Sequence, residues 1–356
     1  MATWTPDIAT QRLHSQHLAR PDFRTPADVV RWFGAVQAQD YLGSLYAVGL
    51  RLREGTQATV EKAIADARII RTWPMRGTIH FVAPEDAPWM LKLLARRGIS
   101  SNGAMYRRLG LTEAVFARAH NVVVAALHGG KRLTRLEMYR VLEAAGVRTA
   151  GEQRGLHILG YLARQGLICL GPRQGKQPTF ALLDEWIPAG RRLEGQEALT
   201  ELARRYFVSH GPATIQDFAW WSGLSLAEAG TGLKAVQSDF VNQEVDGIAY
   251  WCARGARVGA AREDVHLLPA FDEFAVAYKN RSAFAYPGKV EAGLLLGPSI
   301  ILDGRMIGVW RRTLTKDSVV VALDLFVRLN KSRRAAVEKA ARRYADFLGV
   351  PLVMPE

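Results

Sequence analysis

Apolar and polar positions along this chain alternate with two periods, one near 3.6 residues that marks helices and one of two that marks short strands. Thr5 to Leu18 is predicted as a first helix, opened by Thr5-Pro6 in the cap and first helical positions. Thr25-Pro26-Ala27-Asp28 repeats that start signal for a second helix, which carries Val30-Arg31-Trp32-Phe33-Gly34-Ala35-Val36. Ala58 to Ala65 reads as a third. Arg68 to Trp73 and Thr78 to Val82 read as strands around the turn Pro74-Met75-Arg76-Gly77, and Pro84-Glu85-Asp86 then caps a helix over Ala87 to Arg97. Helix, helix, helix, strand, wing, strand is the winged-helix order.

The pattern recurs. Glu113 to Leu127 is helical, Thr134 to Ala144 opens with the capping-box spacing Thr134, Glu137, and Glu152 to Arg164 makes a third helix that Gly166 stops. Leu167 to Leu170 and Pro178 to Leu182 bracket a Gly, Arg, Lys and Pro loop from Gly171 to Gln177, a second wing whose Arg173 and Lys176 are candidate phosphate contacts. A third copy runs through Gln196 to His210, Ile215 to Ser222 and Leu226 to Val236, short helices joined by Gly-containing turns, as in helix-turn-helix motifs. Asp239 to Val245 and Ile248 to Cys252 form a hairpin about Asp246-Gly247.

From Val265 the texture changes to strands: Val265 to Leu268, the hairpin Ile300 to Trp310 about Asp303-Gly304, and Ser318 to Leu325. Lys331 to Leu348 closes the chain as a charged amphipathic helix. The expected fold is α+β, mainly α: three tandem winged-helix units over 1–112, 113–190 and 191–256, then a small β-barrel with a C-terminal helix over 257–356.

Composition narrows the function. The chain has 356 residues, 49% of them apolar, with 47 Lys and Arg against 34 Asp and Glu, a formal charge of +13 spread without a basic tail. A folded, anion-facing surface follows, with nucleic acid the leading partner and a membrane surface or acidic protein as rivals. Cys169 and Cys252 lie far apart in apolar contexts, without the spacing of zinc or redox sites. No signal segment precedes Arg20 and no apolar run is long enough to span a bilayer, so a cytoplasmic protein is expected. His14 and His17 fall three apart on a helix but have no third ligand nearby, and neither a nucleophile elbow, a phosphate-binding loop nor a dinucleotide fingerprint occurs. No metal or cofactor is expected.

Three constellations could carry chemistry. The first is Gln37-Ala38-Gln39, followed by Asp40 and Gly43. Side chains at i and i+2 share a face only in extended backbone, so the two amides converge if the helix stops near Val36. They are either polar residues at a helix exit or a neutral site that both donates to and accepts from one water. The second is Arg71-Thr72-Trp73-Pro74-Met75-Arg76-Gly77-Thr78-Ile79-His80. This is an ordinary wing with Trp73 on the core, or a hairpin with Arg76 on phosphate and His80 near a reacting sugar. The third is Leu267 to Phe274 with Tyr278, Lys279 and Arg281. Here the two carboxylates cap a helix, or Asp272 or Glu273 helps stabilise cationic charge while Tyr278, Lys279 and Arg281 hold a nucleic-acid backbone. Arg71, Trp73 and Arg305 join the candidate DNA contacts.

Together these stretches resemble the winged-helix DNA glycosylases of the AlkZ and YcaQ family, over nearly the full chain. Gln37-Ala38-Gln39 matches the double-glutamine motif of the AlkZ branch and departs from the Gln-x-Asp form of the YcaQ branch. The resemblance implies a monofunctional glycosylase that excises alkylated purines and unhooks interstrand crosslinks, with Gln37 and Gln39 catalytic. It implies alkylated double-stranded DNA as partner and, for some members, self-resistance to a genotoxic natural product. Separately, a monomer is expected because the charge and wings suffice for one duplex, and no membrane partner is expected. The competing class is a non-catalytic winged-helix DNA binder or regulator. A nuclease would need a metal cluster that the sequence lacks.

Overall fold

The computed structural model describes residues 7–187, 190–255, 264–285 and 292–355. The Thr5-Pro6 start signal and the expected boundary at 256/257 lie outside the described residues. The architecture is mixed α and β, and the chain divides into two compact units, 1–60 with 200–356, and 61–199. Neither unit boundary coincides with one expected from sequence.

In the 61–199 unit, helix Glu113–Leu127 begins at Thr112, and Arg135–Ala144 begins at the capping box of Thr134 and Glu137. Helix Arg154–Arg164 packs with them around Phe116, Val123, Leu142, Ile158 and Leu162. Strands Thr78–Val82, Ile70–Met75, Ile168–Gln174, Gln177–Leu182 and Leu133–Thr134 follow one another in that order across an antiparallel sheet. Both wings are tighter than their sequences suggest. The first strand runs through Met75, leaving only Arg76 and Gly77 in the turn, and the second hairpin closes between Gln174 and Gln177. The single helix expected over Ala87 to Arg97 is instead Ala87–Met90, a wider-wound turn over Leu91–Ala95, and Arg96–Ser101.

In the other unit, helices Ile8–Ser15, Pro26–Phe33 and Tyr41–Gly49 precede the link, and Ile215–Ser222 and Leu226–Val236 follow it, both opened by capping boxes. Tyr41–Gly49 is a helix beyond those expected. Val265–Leu268, Ser299–Leu302, Arg305–Leu314 and Val319–Leu325 make an antiparallel sheet, extended by a parallel pairing of Leu352–Val353 with Val319–Leu325. Among the described residues its two edge strands, Val265–Leu268 and Leu352–Val353, do not pair, so the element is an open five-stranded sheet where a barrel was expected.

Helix Lys331–Leu348 covers that sheet. Tyr344 and Phe347 meet Tyr46 of helix Tyr41–Gly49 at ring distances of 4.7 and 5.2 Å, and Trp310 meets Tyr344 at 4.9 Å. Gly49 makes the approach possible, because a Cβ there would stand 2.3 Å from the Phe347 ring. The apolar face of a helix rich in Arg is thereby buried against the segment that follows the glutamines.

Candidate active site

Thr25 and Asp28 form a capping box at the start of helix Pro26–Phe33, with Pro26 in its first turn. The helix stops at Phe33, three residues before the expected Val36. Gly34 takes φ +77°, a conformation that favours glycine, and returns its N–H to Val30. Ala35–Gln37 then runs as a buried strand. Gln37 is 6% exposed, Ala38 is fully buried and Gln39 is exposed. The amide oxygen of Gln37 accepts the backbone N–H of Gln39 at 3.1 Å, which fixes the curl of the tripeptide and orients the first amide. Next in the chain, Asp40 accepts from Arg312 at 3.1 and 3.3 Å.

A buried carboxylate holds this strand. Oε1 of Glu273 accepts the backbone N–H of Gln37 at 2.7 Å, while Oε2 accepts the indole N–H of Trp221 at 3.0 Å and lies 3.3 Å from Nε2 of His210. These residues come from three distant parts of the sequence. Burial is the main cause pushing His210 below its ordinary range, opposed by its bond to Glu273. In the neutral ring, Nε2–H donates to Glu273 and the Ser209 hydroxyl, 2.8 Å from Nδ1, donates to the ring. That hydroxyl also lies 2.7 Å from the Arg205 carbonyl, the acceptor left to it when Nδ1 is protonated.

Asp272, one residue earlier, is 1% exposed and forms a bidentate pair with Arg51 at 2.8 and 2.9 Å. It also caps Phe274 N–H at 2.9 Å. Arg51 spends its other donors on the carbonyls of Gln16 and Ala47 and on Oε1 of Gln16. A carboxylate so neutralised and enclosed does not face a developing cation, so Asp272 is a structural residue and the charge-stabilising role expected of it is corrected. Gln16 continues the network to Tyr278, whose hydroxyl donates to the His210 carbonyl. Asp217 accepts the backbone N–H groups of Lys279 and Asn280, docking that loop on helix Ile215–Ser222.

Among the expected nucleic-acid contacts of this unit, Lys279 is exposed and Arg281 half-buried, its guanidinium 5.5 Å from the ring of Trp220. Arg305 is half-buried beside the Asp303-Gly304 turn. The other candidates belong to the 61–199 unit. Lys176 is exposed, and Arg173, Trp73 and Arg76 are half-buried, Trp73 packing on that unit's core. Arg173 donates to the Lys176 carbonyl. Arg71, expected to contact DNA, is 7% exposed, and His80, expected near a reacting sugar, is fully buried. His80 donates from Nδ1 to the Thr78 carbonyl at 3.0 Å when assigned that tautomer, which leaves Nε2 to accept from Arg76 at 3.3 Å.

His210, Trp221 and Arg51 carry the support of the site and were missed from sequence. Only Arg51 leaves a trace there, as a lone charge within the otherwise apolar run Leu45 to Leu52. Chemically the arrangement offers one exposed and one buried neutral amide, oriented through a carboxylate that does not reach solvent. Among the described residues no group of three His, Cys, Asp or Glu side chains is placed to hold a metal ion. Both cysteines are buried and unpaired, with burial pushing the Cys169 thiol up to about 12, far from a reactive thiolate. No helix among the described residues is long and apolar enough to cross a membrane.

The chain is similar to known proteins over nearly all its length. A curated relative from Streptomyces sahachiroi, named as an interstrand DNA cross-link repair glycosylase, is 28% identical over 98% of this chain and 97% of its own. The solved structure of the Streptomyces sahachiroi DNA glycosylase AlkZ superposes with a TM-score of 0.78 at 24% identity, covering 98% of each chain, and shows the shared fold. The family profile described as DNA glycosylase AlkZ-like matches residues 30–347, from the helix before the glutamines to the last turn of the closing helix. The chain therefore belongs to the AlkZ-like DNA glycosylase family.

Proposed function

We propose that this protein is a monofunctional DNA glycosylase that hydrolyses the N-glycosidic bond of cationic N7- or N3-alkylated purines, with Gln37 and Gln39 as its catalytic pair. The observation that carries the reading is the tethered tripeptide, whose first amide is fixed by the N–H of Gln39 and whose backbone is fixed by Glu273. An alkylated purine already bears positive charge and leaves without a strong acid. The work remaining is to hold a water beneath C1′ and to stabilise an oxocarbenium-like sugar with dipoles aimed in advance. Amide oxygens suit that work. Gln39, being exposed, is the residue that touches the water, and the second lone pair of Gln37 completes the site.

Hydrolysis by water, with no amine in the pair, is what makes the enzyme monofunctional. The activity for which the Streptomyces sahachiroi relative is named, interstrand cross-link repair, supports crosslinks as further substrates, and bulky adducts and a role in repair or self-resistance to a genotoxic natural product are proposed with them. Lys279, Arg281, Arg305, Trp73, Arg76, Arg173 and Lys176 are proposed to hold the duplex. Trp73, Arg76, Arg173 and Lys176 sit on the two wing hairpins and Lys279, Arg281 and Arg305 in the C-terminal region, and a cytoplasmic monomer suffices for one duplex.

A lesion panel tests the chemistry. Duplexes carrying N7-methylguanine, N3-methyladenine or uracil are incubated with excess protein and free bases are resolved by chromatography. Release of both alkylpurines without uracil is expected, since a neutral amide pair is a poor general base. Efficient uracil release contradicts the mechanism.

A further inference from the structure

Resting on that reading, we propose that Glu273 is the positioning residue of the reaction and acts through the backbone of Gln37. Three observations converge on it. Its carboxylate is enclosed by protein, 1% exposed, and so does not touch DNA or the attacking water. Its Oε1 accepts the N–H of the first catalytic glutamine at 2.7 Å, on a strand that lies 236 positions away in sequence. Its other oxygen is held by Trp221 and His210, so the acceptor that clamps the strand is itself fixed from behind by two aromatic side chains.

The physical consequence is directional. A hydrogen bond to a charged acceptor is stronger and more closely aligned than one between neutral groups. The peptide N–H of Gln37 therefore has one preferred orientation, and with it the χ1 origin of the side chain whose Oε1 receives the N–H of Gln39. Loss of the carboxylate leaves the fold's packing in place but frees the strand to rotate by the few tenths of an ångström that misalign two amides. Asp272, its neighbour, anchors the same short helix Glu273–Val276 through Arg51, so the clamp is mounted on a rigid base. Of the two adjacent buried acids, the second serves catalysis and the first serves the fold.

Glu273→Gln is the decisive variant. It keeps volume and shape, but its NH2 group must face at least one of the donors that the carboxylate accepts. In single-turnover excision of N7-methylguanine, its rate is expected to fall by about tenfold or more while duplex affinity stays within about threefold of wild type. Glu273→Asp, which retains the charge on a shorter arm, is expected to recover part of that rate, and Trp221→Phe, which deletes a single donor, to lose less than Glu273→Gln. Because an inactive wild type on this lesion would speak against the glycosylase reading and not against the clamp, amide exchange of Gln37 in the free protein is measured as well. Faster exchange at Gln37 in Glu273→Gln, with exchange in helix Lys331–Leu348 unchanged, supports the clamp. A variant with wild-type rate, one whose rate and affinity fall together, or unchanged exchange at Gln37 overturns it. Should Glu273→Gln fail to fold, Trp221→Phe carries the same rate and exchange comparison.

Discussion

Gln37 and Gln39 differ in environment although they share a residue type: the first is enclosed and hydrogen-bonded to the backbone, the second open to solvent. The acids behind them are distinguished in the same way by their partners. Asp272 has its charge answered by Arg51 at 2.8 Å, in a pair from which water is excluded, and removing one member leaves the other buried alone. Asp272→Ala is therefore expected to destabilise the protein by about 3–5 kcal/mol, measured as a shift in urea midpoint. A change under about 1 kcal/mol would mean that Arg51 finds another partner.

His210 makes stability depend on pH. The groups facing it are Glu273 and Arg51, the rings of Tyr206, Tyr278, Trp221 and Phe33, and the Ser209 hydroxyl. Its folded pKa is below its ordinary value of 6.5, so below that pH the unfolded chain binds the proton that the folded chain resists. This contribution is complete above pH 6.5 and declines as pH falls toward the folded value. Thermal midpoints are expected to drop on acidification below 6.5, and His210→Gln to remove that part of the slope. An identical slope in the variant would place the titrating group elsewhere.

Elements with clear ends were readable from sequence, and those without were not. Helices Glu113–Leu127, Leu226–Val236 and Lys331–Leu348 have the predicted bounds because a Thr, Ser or Asn cap marks each start and a polar face gives each its period. Helix Tyr41–Gly49 is buried from Gly43 through Gly49, so its sequence is apolar on every side and shows no period. The strand Ala35–Gln37 was hidden by an apolar run that continues the helix pattern before it. Only the backbone conformation of Gly34 separates the two. The glutamine motif was legible through its family resemblance, whereas its support from Glu273, His210 and Trp221 depends on contacts distant in sequence.

Close packing at these elements gives a prediction of its own. Gly49→Ala places a methyl group against the Phe347 ring, where a Cβ would stand 2.3 Å away. Destabilisation of about 1–3 kcal/mol is expected in denaturant unfolding, because the ring must leave its packed position. A concurrent Phe347→Leu change is expected to relieve part of it, and additive losses from the two changes would show that the contact is not the cause.

For the molecule as a whole, an excess of 13 positive charges gives DNA binding a large sequence-independent component. Affinity for undamaged duplex is expected to fall steeply with salt. Lys279→Ala should weaken binding to damaged and undamaged duplex alike and reduce the salt slope by about one. Loss confined to damaged duplex would move Lys279 from the DNA backbone to the lesion.

The most direct test of the account uses a duplex with one N7-methylguanine and mild alkali to cleave any abasic site, comparing wild type with Gln37→Ala and Gln39→Ala at enzyme excess. Strand breakage by wild type that is lost in both variants, with duplex affinity retained, is the predicted result. Equal breakage by the variants, or tight binding by wild type with no breakage, would contradict the assignment of catalysis to the two glutamines on this lesion.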